Sequence, residues 1–409
     1  MKKEFNSNNY TKGIWKKLLF IFICSLLIRV LFILTLNNSI DVWGDWWDEL
    51  GWKLASGKGF WVENPYFPGG QKFYSWRTPG FPFFLAIIYK IFGHNYLAAK
   101  IGLAIISSFT CILIYFLLRE FFNSKISFIG SFLYSIYPSS IFWTGYLAPE
   151  TLETFLLVLF SIFLIKGKNK KSDTFILLSG IFLGIAVLTR SLFFIFLPLI
   201  FFYFLIEFKR KGILKFIFLF LGCFLVITPW VLRNYKIHKK LVLTSTEGGI
   251  VCYIANNEKS LSQPSGYWNP PPPFFEKFNG MSEVEIDHKL YELALNFILS
   301  HPKEYLKLVW DRFIRYWRFF PHTFSGPGEN YKKYHVILGF ITFAPIIILS
   351  FIGFFITLKN LKKYLWIYFG ILGWSLPTIL LFKTVIRYRE PIIPYLMVLL
   401  LSIFKNVEK

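Results

Sequence analysis

Residues 17–60 read KLLFIFICSLLIRVLFILTLNNSIDVWGDWWDELGWKLASGKGF. An apolar run, 17–36, is followed at once by a segment dense in carboxylates and tryptophans. Asp41, Asp45, Asp48 and Glu49 fall within nine residues. A hydrocarbon core of about 30 Å takes roughly 20 apolar residues to cross, which is the length of this run. Charges at membrane depth are costly, so carboxylates at a membrane boundary are candidates for function. No small-residue cleavage site precedes the acidic segment, and the run reads as a retained helix, not a signal peptide.

Further apolar runs lie at 97–118, 126–143, 149–166, 174–189, 191–207, 213–231, 335–357, 363–382 and 391–405, making ten candidate spans. The fold expected is all-α: a polytopic transmembrane bundle with outer-face loops carrying short interfacial helices. Composition agrees. The chain is 55% hydrophobic and 17% charged, with a mean hydropathy of +0.50, outside the range of an ordinary soluble domain. Its net charge of +22 does not indicate nucleic acid, because the basic residues sit in short loops between apolar runs. The four cysteines show no metal-ligand spacing, and the six histidines form no HExxH pattern. No Walker-type glycine loop occurs.

Positive charge sets the expected topology. Basic clusters occupy the N-terminal tail and alternate loops: Arg119 and Lys125; Lys166–Lys171; Lys209–Lys215; Lys359–Lys363; and the C-terminus at Lys405 and Lys409. Cytoplasmic segments carry such an excess. Both termini are then cytoplasmic in a multi-pass cell-membrane protein, and loops 37–96 and 232–334 face outward. The chain divides into an N-terminal catalytic module, 1–231, the large outer loop, 232–334, and C-terminal helices, 335–409. In the second loop NPPPP at 269–273 reads as extended, and 282–319 reads as helical.

The candidate chemistry lies at the outer ends of the spans. Asp45 and Asp48, three apart, share a helical face, and either suits a general base; Asp41 is a cap or spare carboxylate. Arg77 precedes Thr78-Pro79-Gly80-Phe81-Pro82, a stiffened turn from which a guanidinium can fork onto phosphate oxygens. Glu150 begins a span after Pro149, where a helix dipole favours a carboxylate. Arg190, Arg233, Arg387 and Arg389 stand at outer helix ends against the positive-inside trend, and with Arg77 they would ring the bundle's mouth with cations suited to a phosphate. Asn256 and Asn257 are candidates for hydrogen bonds to a sugar.

Taken in order, WDELGWKLASGKGF, WRTPGFPFFLAIIYKIFG, LYSIYPSSIFWTGYLAPETL, GIAVLTRSLFFIFLPL, TPWVLRNYKI with TSTEGGIVCYIANN, and RYREPIIPYL resemble the bacterial glycosyltransferases of the C-type membrane fold. The branch is the one related to protein O-mannosyltransferases and lipid A aminoarabinose transferases. The resemblance implies a polyprenyl-phosphate sugar as donor, a first-loop acid as base, basic residues on the lipid phosphate, and inversion at the anomeric carbon. A glycan, lipid or protein hydroxyl would be the acceptor. That family writes the loop as Asp-Glu with a Tyr four residues after the Asp. Asp48-Glu49 matches the pair, which makes Asp48 the first choice for the base, but Trp52 stands where the Tyr is expected and Asp45 lies a turn earlier, so the choice between them stays open. Glu150 matches a position where relatives keep an acid. Some relatives also bind a divalent metal, through ligands with no match in this chain. The competing class is a flippase for lipid-linked sugars, which would carry charges near mid-span on paired repeats; here the charges stay at the span ends apart from Arg29, and no repeat is found.

Overall fold

The first apolar run forms one helix, α1 (Ser7–Thr35), in a computed structural model that describes residues 7–36, 46–63, 70–263, 265–319 and 333–404. Asp41 and Asp45 lie outside the described residues. The first long loop holds α2 (Trp47–Ala55), a two-residue antiparallel pair β1 (Val62–Glu63) and β2 (Lys72–Phe73), and α3 (Gly80–Phe92). Helices α2 and α3 are the short amphipathic segments expected there. The bundle continues with α4 (Tyr96–Arg119), α5 (Ser124–Ser135), α6 (Pro138–Phe142), α7 (Glu150–Lys170), α8 (Asp173–Thr189), α9 (Leu192–Ile195), α10 (Leu197–Phe208) and α11 (Gly212–His238).

The second long loop carries α12 (Gly248–Ala255), α13 (Glu283–Ser300) and α14 (Pro302–Trp317). A capping box, Ser282 with Glu285, starts α13. The helical pattern expected over 282–319 is thus two helices, broken where Pro302 disfavours helical backbone at His301. The proline cluster also differs from expectation. Pro271 is extended, but Pro272–Phe278 is a 3₁₀ helix, since proline is tolerated in a first turn, where its missing N–H is not needed. The chain closes with α15 (Lys333–Leu358), α16 (Leu361–Leu381) and α17 (Ile393–Leu401).

All ten apolar runs contain helix, and the fold is an all-α bundle as expected. Among the described residues, five stretches are long and apolar enough to cross a membrane by length and composition: Gly13–Thr35, Tyr96–Arg119, Leu192–His238, Val336–Leu358 and Leu361–Leu381. The runs at 126–143, 174–189 and 391–405 are shorter or interrupted, whereas run 149–166 forms the continuous 21-residue α7, set apart by its charges. Run 126–143, for example, breaks ahead of Pro138, which turns Tyr137 extended.

Two contacts show how polar and small residues order the apolar bundle. Arg29, fully buried in α1, donates from Nε to Ser107 Oγ at 2.7 Å, from Nη1 to Ser25 Oγ at 2.6 Å and Ser135 O at 2.8 Å, and from Nη2 to Ser140 Oγ at 3.0 Å. One arginine thereby pins α1 to α4, α5 and α6. Helices α8 and α11 meet backbone to backbone. A Cβ added at Gly180 would collide with Leu219 O, one at Gly222 with Leu177 O, and one at Gly184 with Cys223 O. Small residues at four-residue spacing allow this approach, which apolar solvation alone does not drive in lipid.

Candidate functional site: a cationic cavity at one end of the bundle

Gly80 lets the first loop reach the end of α8. A Cβ there would lie 2.6 Å from Thr189 Oγ1 and 2.8 Å from Leu188 O, and Thr78 Oγ1 donates to Thr189 O at 2.8 Å. The Arg77–Thr78 turn is therefore held against Arg190. Beside it opens a cavity of about 330 Å³, whose walls come from α2, the end of α8, residues 241–251, α13 and the α16–α17 connection. Arg77, Arg190, Lys383 and Arg387 line it, facing Glu247 and Asp287.

The three arginines are fixed. Arg77 pairs with Glu247, and its guanidinium lies 5.2 Å from the ring centroid of Trp47 and 5.8 Å from that of Trp46. Arg190 donates from Nε to Glu153 at 2.5 Å and from Nη2 to Glu150 at 3.1 Å, with its plane over the Tyr388 ring. Arg387 Nε stands 3.4 Å from Glu150. The two glutamates occupy the first turn of α7 and are fully buried. They hold the arginines in place while the guanidinium faces left over line the cavity.

Of the residues read from sequence, the structure brings Arg77, Glu150, Arg190 and Arg387 together. Asp48 is placed elsewhere. Its carboxylate accepts from Tyr89 and Tyr96 hydroxyls and lies 3.0 and 3.1 Å from His94 Nε2, at the junction of α2, α3 and α4. It does not line the cavity, although its neighbour Trp47 does.

Arg233 is also outside the cavity. It clamps the first loop, donating to Tyr74 O at 2.6 Å and Phe60 O at 2.9 Å over the Trp230 ring. Asn256 is buried, accepting from Arg312 at 2.8 Å and donating to Cys252 O and Leu381 O at 2.8 Å, which leaves no amide edge for a sugar. Asn257 caps the 3₁₀ turn Glu258–Ser262. Arg389 donates to Tyr316 O and Arg318 O over the Phe343 ring. Among the described residues, no group of three or more His, Cys, Asp or Glu side chains is placed to hold a metal.

Sequence reading missed Glu247 and Lys383, single residues in irregular segments, and Asp287, near the start of α13. Asp287 accepts from Gly249 N–H at 2.6 Å, and burial holds its carboxyl up to about 7, with Glu247 and Glu283 adding to the rise. Between its ordinary value near 4 and about 7 the folded protein keeps a proton that the unfolded chain has lost. Stability is therefore expected to fall as pH rises across that window and to level off above it, by on the order of a few kcal/mol. Thermal melts of wild type and Asp287→Asn across this range test it: the variant's slope should be flatter, and equal slopes would remove Asp287 as the cause.

Comparison with known proteins follows this geometry. Residues 76–232 match the family described as dolichyl-phosphate-mannose-protein mannosyltransferase. No curated protein sequence matches the chain. The fold matches the oligosaccharyltransferase AglB of Archaeoglobus fulgidus in complex with an inhibitory peptide and a dolichol-phosphate (TM-score 0.54, 15% identity, 97% of this chain and 51% of that one). A second structure of the Archaeoglobus enzyme, tethered to an acceptor peptide, matches with TM-score 0.53 at 14% identity, over 98% of this chain and 51% of that one. ArnT from Cupriavidus metallidurans, bound to undecaprenyl phosphate, matches with TM-score 0.54 at 12% identity, over 97% of this chain and 60% of that one. The chain thus spans about half the length of the oligosaccharyltransferase. By sequence over residues 76–232 and by fold over nearly its whole length, this membrane protein resembles the C-type membrane glycosyltransferases of the protein mannosyltransferase and ArnT group.

Proposed function

We propose that the protein moves a sugar from a polyprenyl-phosphate donor to a glycan, lipid or protein hydroxyl on the non-cytoplasmic face of the cell membrane, with inversion. The observation that carries this reading is the convergence of Arg77, Arg190, Lys383 and Arg387 on one cavity at the end of an apolar bundle. Fixed cations in a site shielded from water stabilise a leaving phosphate far better than solvent does. The ligands of the structural neighbours, dolichol-phosphate and undecaprenyl phosphate, have the chemistry this cavity suits. The basic loops at the opposite end of the bundle support cytoplasmic termini and an outward-facing cavity.

Inversion requires a base on the face of the sugar away from the phosphate. The family resemblance points to a first-loop aspartate, and the contacts favour Asp45 over Asp48. Asp48 is already satisfied by Tyr89, His94 and Tyr96 away from the cavity. Asp45 directly precedes Trp46 and Trp47, whose rings flank Arg77. Asp287 is assigned to the acceptor side, as a carboxyl that can orient a hydroxyl. The flippase reading loses its one mid-span charge, since Arg29 is consumed by serines and a backbone carbonyl.

Retention of undecaprenyl phosphate by the purified protein, followed by native mass spectrometry, tests the donor site. Arg77→Lys keeps the charge and loses the planar fork, and affinity is expected to drop about tenfold with folding intact. Retention within about twofold of wild type would make Arg77 an anchor for Glu247 alone.

A further inference from the structure

A second cavity, of about 660 Å³, opens at the other end of the bundle. Helix α16 connects the two: Leu361 lines this cavity and Thr378 lines the first. At 1.5 Å per residue the separation is about 26 Å, roughly the thickness of a hydrocarbon core. The second cavity is framed by the ends of α4 and α7, by α10, and by the turn between α15 and α16.

Lys168, Lys359, Lys362 and Lys363 line it, against Glu120. Two of these lysines are partly committed. Lys168 Nζ lies 2.9 Å from Glu207 and donates to Lys362 O at 3.0 Å, and Lys363 donates to Phe121 O at 2.9 Å. Glu120 accepts from Asn169 at 2.9 Å. The positive charge exceeds the negative even with both glutamates counted. Tyr203, fully buried, stands in the inner wall, and among the described residues its hydroxyl, just beneath that wall, has no hydrogen-bond partner. A buried hydroxyl left unpaired is costly, and a ligand oxygen would relieve it. The rim of the cavity is apolar on its outward side, where Leu358 and Leu361 are exposed.

We propose that this cavity binds the phosphate of an anionic lipid headgroup in the cytoplasmic leaflet, with Lys359 and Lys362 on the phosphate and the Tyr203 hydroxyl donating to a headgroup oxygen. Basic pockets between helices on the cytoplasmic side take such headgroups. The exposed leucines at the rim favour a phosphate that carries acyl chains over a free one. The site is separate from the donor cavity and does not depend on the transfer reading.

The test uses the full-length protein in phosphatidylcholine nanodiscs, titrated with short-chain phosphatidylglycerol, short-chain phosphatidylcholine or inorganic phosphate. Phosphatidylglycerol should bind, phosphatidylcholine should not compete, and Lys359→Gln/Lys362→Gln should weaken binding about 25-fold, or about fivefold per lysine. Tyr203→Phe, which keeps the ring packing, should weaken it as well, while Arg77→Lys should leave it unchanged. Inorganic phosphate competing at the same concentration as the lipid would assign the cavity's phosphate chemistry to a free anion and overturn the lipid assignment. Equal binding of phosphatidylcholine, or full binding by the double lysine variant, would overturn the site itself.

Discussion

Arg190→Met is expected to cost about 3–5 kcal/mol of stability, because it strands Glu150 and Glu153 in the bundle with only Arg387 beside them. Both carboxylates are fully buried, and each keeps one oxygen without a hydrogen-bond partner even with Arg190 present. The cost is that of uncompensated charge, so it should be recoverable. The variant Arg190→Met with Glu150→Gln and Glu153→Gln should melt close to wild type, since neutral amides need no counter-ion. It should still fail to transfer, having lost a cavity cation. A single Arg190→Met protein that melts like wild type in the same detergent would show that the glutamates are protonated and that Arg190 carries no structural load. A triple variant that regains transfer would remove Arg190 from the donor site.

The second large effect is on turnover. Asp45→Asn is expected to slow transfer by about 10²–10⁴-fold, the range for loss of a general base, while leaving retention of undecaprenyl phosphate unchanged. Asp48→Asn should show the opposite profile. An amide cannot accept from all of Tyr89, Tyr96 and His94 as the carboxylate does, so the junction of α2, α3 and α4 should lose about 1–3 kcal/mol. Turnover per folded molecule should change little. If Asp48→Asn instead abolishes transfer without lowering the melting temperature, the base is Asp48. If both variants transfer normally, no first-loop aspartate is the base, and Glu150 is the next carboxylate to test.

The helices were legible because a membrane-length apolar run leaves the backbone few alternatives, and all ten runs contain helix. Run lengths were less legible, since a break such as the one ahead of Pro138 is a local event inside an otherwise apolar stretch. The cationic mouth was half legible. Arg77, Arg190 and Arg387 converge as their positions at outer helix ends suggested, yet Arg233 and Arg389 occupy equivalent sequence positions and serve as backbone clamps. Nothing local distinguishes the two sets. What decides is whether a carbonyl such as Tyr74 O or Arg318 O lies within reach, and that depends on contacts across more than 70 residues of chain. Asn256 illustrates the same limit: its partners, Arg312 and Leu381, are distant in sequence. Glu247 and Lys383 sit in segments with no periodicity to mark them, Asp287 is a lone acid near the start of α13, and only the closure of the 232–334 loop over the bundle brings them to the cavity.

Because glycines leave no side chain between α8 and α11, those two helices make one stiff strut. Arg190 rides on one member of it and Arg233 on the other, and through Thr78 and Ser75 the strut also carries the turn bearing Arg77. Three of the arginines described here therefore belong to a single rigid part. Residues 242–246 are tied to the same part, through Trp230 Nε1 donating to Thr244 O at 2.6 Å, Asn234 Nδ2 to Val242 O at 3.1 Å and Thr246 N–H to Ser75 O at 2.8 Å. The Arg77–Glu247 ion pair therefore lies inside one braced unit, and that wall of the cavity is set before any ligand arrives.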